Sequence, residues 1–240
     1  MVCLACAMPG WPLCVLCVAS LRLAPPAVVR GVSVEAGFRH VGAAVRLVHN
    51  LKYRRSIRAG RILAAAMVSG LPADATVLVP VPRSLVRRVT YGIDQAKVLA
   101  KEVSNLTGLE VLDALGAPIW WKRQAGATLE DRHAISFRRI GRVPEGAILV
   151  DDVFTTGTTA MSAIDAAVAR EMSILVATSA GTMEPGTKPF PSLGGDVTQL
   201  RGTIETWSHA ARTRSQSESA DERTVVRPRL LRATDREEIG

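Results

Sequence analysis

Beyond residue 17 the chain has no cysteine: all four lie at positions 3, 6, 14 and 17 of 240. Disulfides therefore cannot brace the remainder, whose fold must rest on an apolar core. Aromatic residues make up only 4%, and Trp120-Trp121 is the sole adjacent pair, which disfavours a surface that stacks single-stranded bases. No run of about 18 uninterrupted apolar residues occurs, so no membrane-spanning helix is expected. No Lys or Arg precedes Arg22, and Pro9, Gly10 and Pro12 interrupt the apolar start, which argues against a secretory signal and for a soluble, cytoplasmic protein. The Gly-x-x-x-x-Gly-Lys pattern of nucleotide-binding loops is missing, and no internal repeat is found.

What is present suits one substantial α/β core with a small accessory unit. The chain is 48% hydrophobic with a formal charge of +8, and its length fits one main domain of about 100–200 residues plus a smaller piece. Residues 1–185 carry 21 Lys/Arg against 14 Asp/Glu, so the excess belongs to the core and not to the tail. Such an excess favours anionic ligands and also attracts nucleic acid without specificity.

Residues 147–159, Ala-Ile-Leu-Val-Asp-Asp-Val-Phe-Thr-Thr-Gly-Thr-Thr, hold the strongest local signal. Ile148, Leu149 and Val150 follow the turn-like Pro144-Glu145-Gly146 and read as a strand buried on both faces. Asp151 and Asp152 end the apolar run. Thr155, Thr156, Gly157, Thr158 and Thr159 then supply hydroxyls and closely spaced backbone N–H groups ahead of a helix over residues 160–170. A helix N-terminus favours an anion, and carboxylates accept hydrogen bonds from hydroxyls. A sugar phosphate such as ribose 5-phosphate has both features. The plainer alternative is that the acids merely cap the helix.

Cys3-x-x-Cys6 and Cys14-x-x-Cys17 flank a turn containing Pro9-Gly10. Paired Cys-x-x-Cys segments can set four thiolates around one structural Zn²⁺. A pair of disulfides is the alternative, disfavoured by the cytosolic character of the rest.

Along the chain, residues 24–38 read as a connection followed by a short strand around residues 32–34. Val41, Ala44, Val45, Val48 and Leu51 have helical spacing, and a second helix is expected over residues 57–69. Six basic residues lie between Arg46 and Arg61 with no acid among them, which is either a solvated helix face or a basic wall beside a polyanion. Residues 76–81 read as a strand ending in Pro80-Val81-Pro82-Arg83, with Arg87 and Arg88 after it and a helix over 94–104. Ligands of open parallel sheets bind beyond the carboxyl ends of the strands, so this loop should face the same crevice as Asp151. Residues 109–115 and 119–121 are short strand candidates. Residues 124–139 are polar and include Arg132 and His133, and residues 173–178 complete a βαβ unit. Residues 184–240 read as a mostly disordered tail.

The 147–159 stretch resembles the phosphoribosyl pyrophosphate (PRPP) signature of type I phosphoribosyltransferases. A wider set, in order, is similar to the ComF family: the double Cys-x-x-Cys, Leu51-Lys52-Tyr53, Val79-Pro80-Val81-Pro82, Gly92-x-x-Gln95-Ala96, Gln124-x-x-x-x-Leu129-x-x-Arg132, and residues 149–157. The chain departs from the family at Thr90-Tyr91-Gly92-Ile93-Asp94-Gln95, where a basic residue is lost, and after Arg132, where an Asn is absent. The resemblance implies a phosphoribosyltransferase-like parallel sheet flanked by helices over residues 23–183, behind a zinc-binding unit at residues 1–22. It also implies a site in which Asp151 and Asp152 are catalytic and hold the ribose. Val150, Thr155, Thr156, Gly157, Thr158 and Thr159 complete the PRPP site, and Lys52, Arg83, Arg87 and Arg88 attend the pyrophosphate. Mg²⁺ would arrive with PRPP, and Zn²⁺ would be held by Cys3, Cys6, Cys14 and Cys17. The implied reaction transfers a phosphoribosyl group to a nitrogen nucleophile. The alternative is a non-catalytic protein that senses PRPP, or grips single-stranded DNA or a partner protein, during DNA uptake.

Overall fold

In the computed structural model, described over residues 1–83, 92–116, 137–168 and 172–180, the centre is a six-stranded sheet. Strands β1 (Ala27–Val29), β2 (Val32–Arg39), β3 (Val77–Pro80), β4 (Glu110–Val111), β7 (Ala147–Phe154) and β8 (Ser173–Ser179) run in the order β1-β2-β8-β7-β3-β4. The β1–β2 pair is antiparallel and every other pairing is parallel. Two short strands, β5 (Leu115–Gly116) and β6 (Arg138–Arg139), pair separately and antiparallel.

The apolar runs explain why β7 and β8 are central. Along β7, Ile148 and Val150 pack with Leu175 and Ala177 of β8 into one core. Ala147 and Leu149 pack with Ile174 and Val176 into the other. Strand side chains alternate between faces, so a strand covered on both sides must be apolar at successive positions. Helices α2 (Gly42–Arg54), α3 (Ile57–Val68) and α4 (Gln95–Thr107) cover the first face, and α5 (Thr158–Ala167) covers the second.

Helix termini follow local chemistry. Ser56 accepts from the Ala59 N–H at the start of α3, and Asp94 accepts from the Lys97 N–H at the start of α4. Such caps satisfy N–H groups that a helix cannot pair internally. Helix α2 has Val41 at its N-cap position, which supplies no side-chain cap. Its Ala43 N–H is instead taken by Ser20 Oγ at 3.0 Å, just after the short helix α1 (Val15–Ala19). Asn50 of α2 donates to the Leu4 carbonyl at 2.7 Å, and Leu13, Cys17 and Leu21 join the core of Phe38, Leu47 and Leu51. The cysteine segment is thereby seated on α2.

Two expectations change in detail. The strand expected to stop near residue 150 continues to Phe154, which pairs with Ser179. The single strand expected over 109–115 is two two-residue strands in different sheets. The strand candidate at 119–121 and the tail from residue 184 lie outside the described residues. Among the described residues, no helix is long and apolar enough to cross a membrane.

Candidate active site and metal centre

Because β7 keeps its pairing with β8 through Phe154, Asp151 and Asp152 are strand residues, just past the point where pairing with β3 ends at Val150. Asp152 is buried, at 5% exposure, and one of its oxygens receives two cations. Lys52 Nζ of α2 lies 3.1 Å from Asp152 Oδ2, and Arg83 Nη2, three residues past the end of β3, lies 2.9 Å from the same atom. Two positive charges on a nearly buried carboxylate compensate the loss of its hydration.

Asp151 accepts the Asp152 N–H at 2.8 Å through its own Oδ1. Burial raises its carboxyl most, and the Asp152 charge raises it further. That backbone N–H, Arg83 and Lys52 pull it partway back, leaving it near about 7. A carboxyl so placed changes charge near neutrality, unlike a solvated aspartate.

The loop after β7 turns at Gly157, which is the residue immediately before α5 and has φ +77°. Only glycine adopts that backbone freely. A Cβ at this position would also lie 2.6 Å from Phe154 Cζ, so a side chain is excluded by space as well. Among the described residues no side chain caps α5, and its N-cap position is Gly157, so the acids do not serve as its helix cap. Thr155, Thr156 and Thr158 are exposed and Thr159 half-buried, and Thr156 Oγ1 lies 3.0 Å from Thr158 Oγ1. Val150, fully buried in β7, pairs with Pro80 of β3 and so brings the ends of the two loop-bearing strands together. The site can therefore offer hydroxyls and helix N–H groups to an anion, with a carboxylate pair and two cations beside them.

The structure thus brings together Lys52, Arg83, Asp151 and Asp152, and sets the threonine loop at the end of the same strand. Arg87 and Arg88 lie outside the described residues, as do Arg132, His133 and Trp120-Trp121. Two further polar residues stand out, His40 with no local sequence signal and Gln95 marked only by the Gly92-x-x-Gln95-Ala96 motif. His40, after β2, lies 2.8 Å through Nδ1 from Thr178 Oγ1, 138 positions away. Gln95 is fully buried at the start of α4, and neither atom of its carboxamide has a partner among the described residues. Unpaired buried amides are uncommon and cost about 1–3 kcal/mol per group.

The second cluster is at the N-terminus. The Sγ atoms of Cys3, Cys6, Cys14 and Cys17 all lie within 4.8 Å of one another. Tetrahedral Zn–S bonds of about 2.3 Å set sulfurs roughly 3.8 Å apart, so this donor set fits one ion. The four thiols are unbonded, with Cys6 and Cys14 Sγ at 3.6 Å, far beyond a disulfide's roughly 2.05 Å. Gly10 at φ +132° lets the turn close, since a Cβ there would meet Cys14 Cα at 2.8 Å. Burial opposes ionisation of Cys3, but backbone N–H groups of Cys14, Ala5 and Cys6 outweigh it and hold the thiol down to about 6. Burial and then the other three thiols push Cys17 up to about 12, with Arg46 opposing. Four close cysteines could thus hold a metal ion.

Comparison with protein-family models finds no match, and neither does comparison with curated proteins.

Proposed function

We propose that this chain is a phosphoribosyltransferase of the ComF type, which binds PRPP with Mg²⁺ and moves the phosphoribosyl group to a nitrogen nucleophile with release of pyrophosphate. The observation that carries the reading is the meeting of Lys52 and Arg83 on Asp152, one residue from Asp151 and at the root of the threonine loop that opens α5.

Each residue then has a task set by its surroundings. The α5 N-terminus and Thr155, Thr156, Thr158 and Thr159 hold the 5-phosphate, and Gly157 lets the backbone approach it. Asp151 takes a ribose hydroxyl. In its ionised form its carboxylate stabilises the positive charge that develops on the sugar in the transition state. Asp152 keeps Oδ2 on its two cations, while Oδ1, which makes no hydrogen bond among the described residues, accepts the second hydroxyl. Lys52 and Arg83 extend from there to the leaving pyrophosphate, for which the planar Arg fork is suited. Mg²⁺ would be carried mainly by the pyrophosphate, whose charge it would neutralise, with few ligands from the protein. Zn²⁺ on Cys3, Cys6, Cys14 and Cys17 is structural.

The test is release of pyrophosphate from PRPP–Mg²⁺ by the full chain, offered a panel of nucleobases and amines. Release with at least one nucleophile is expected. None with any of them, despite PRPP binding, would favour a second reading, that of a non-catalytic protein that senses PRPP or grips single-stranded DNA in DNA uptake. That reading draws on Arg46, Arg54, Arg55, Arg58 and Arg61, all exposed on or between α2 and α3 with no acid among them. Its mark would be affinity for single-stranded DNA that falls steeply with salt.

A further inference from the structure

The carboxylates and threonines account for ribose and phosphate, but none of them removes the proton that a nitrogen nucleophile must lose. His40 carries an imidazole at the same end of the sheet. It follows the last residue of β2, and its backbone N–H donates to Ser179 O at 2.8 Å, at the carboxyl end of β8. That is the sheet edge at which the adjoining β7 delivers Asp151, Asp152 and the threonine loop. Its ring is half-buried, and Nδ1 lies 2.8 Å from Thr178 Oγ1, a hydroxyl with no exposure at all.

The Thr178 hydroxyl also reaches the Asp152 carbonyl, at a long 3.5 Å. When it donates there, its oxygen accepts from His40 Nδ1–H, the tautomer in which Nε2 keeps a lone pair. Nε2 makes no hydrogen bond among the described residues. Burial holds the imidazole in its neutral form, and the charge of Lys52 adds to this, while Asp152 opposes them. A backbone carbonyl, a buried hydroxyl and an imidazole thus form a relay whose free end is a base.

We propose that His40 is the general base of the phosphoribosyl transfer, its Nε2 taking the proton of the attacking nitrogen; this rests on the reading of the site as a phosphoribosyltransferase. The nucleophile's lone pair forms the C1′–N bond as the C1′–O bond to pyrophosphate breaks, the bonding pair leaving on pyrophosphate oxygen. One proton passes from nitrogen to Nε2, and the imidazolium returns it to solvent. In the tautomer whose Nδ1 donates to Thr178, the neutral ring can take the proton directly through Nε2.

The test uses the full chain with PRPP–Mg²⁺, ammonia and a panel of nucleobases, following pyrophosphate. His40→Asn keeps an N–H donor toward Thr178 and removes Nε2. It should lower kcat by about 10²–10⁴-fold while PRPP affinity, measured by calorimetry, stays within about twofold. His40→Gly should regain part of the lost rate when imidazole is added, which a purely structural residue would not allow. Thr178→Val should lower kcat less than His40→Asn. Wild-type release equalled by His40→Asn overturns the base assignment and leaves the transferase reading standing. Wild-type protein that binds PRPP but releases no pyrophosphate with any nucleophile overturns both.

Discussion

At the scale of residues, two adjacent aspartates should behave oppositely. Asp151 in the fold titrates near 7 against 3.8 for an ordinary aspartate. The native state therefore binds that proton more tightly than the unfolded chain does. Its stabilising contribution is complete below about pH 3.8 and is lost as pH rises through 7. Asp151→Asn keeps the acceptor for the Asp152 N–H without any charge, so its stability relative to the native sequence should grow from about pH 4 and level off above 7. A gain of at least about 1 kcal/mol at pH 8 is expected, since one pKa unit corresponds to about 1.4 kcal/mol. Urea unfolding at pH 4, 6 and 8 measures it, and a difference that shrinks with rising pH would contradict the assignment. Asp152→Asn should do the reverse. It leaves Lys52 and Arg83 facing a neutral amide, and a loss of about 1–3 kcal/mol at pH 7 follows from weakened charge-assisted bonds. No loss in the urea midpoint would mean that solvent already screens the pair.

At the scale of elements, the junction of β7 with α5 and the cysteine loop on α2 each rest on one constraint. Gly157 must keep a left-handed backbone under Phe154. Gly157→Val should therefore cost more stability and more PRPP affinity than Thr156→Val, which keeps every backbone N–H. About 1–2 kcal/mol of the difference comes from the backbone conformation alone, and thermal melts with calorimetry on both variants give the order. If Thr156→Val were the harsher change, the hydroxyls and not the helix terminus would be the phosphate's main partner. For the cysteine loop, protein purified under reducing conditions without chelator should carry one zinc per chain. Stripping that zinc should lower the thermal midpoint by several degrees, because Leu13, Cys17 and Leu21 belong to the core shared with Phe38 and Leu47. Metal content near zero, with disulfides found by mass, would replace the metal reading.

At the scale of the whole molecule, what was legible in the sequence is what depends on neighbours along the chain. The apolar runs of β3 and β7 are needed wherever a strand is covered on both faces, and the helical spacing from residue 41 gives α2 directly. The acids, the threonines and Gly157 form one continuous stretch, so the candidate loop could be located before any tertiary contact was known. Contacts between distant segments left no such trace. β2 reaches Arg39 by pairing with β8, which mixed residues such as Glu35 and Arg39 do not announce. Lys52 and Arg83 read as cations of a shared crevice, but nothing local indicates that both close on a single oxygen of Asp152. The His40–Thr178 bond joins positions 138 apart and depends wholly on strand order. The central claim is that this assembly is a PRPP site, and calorimetry with PRPP and Mg²⁺ tests it most directly. The account predicts binding by the native chain, weakened roughly tenfold by Asp151→Asn and by Asp152→Asn, as the loss of about 1.4 kcal/mol requires. A native chain that shows no heat of binding at millimolar PRPP would contradict it.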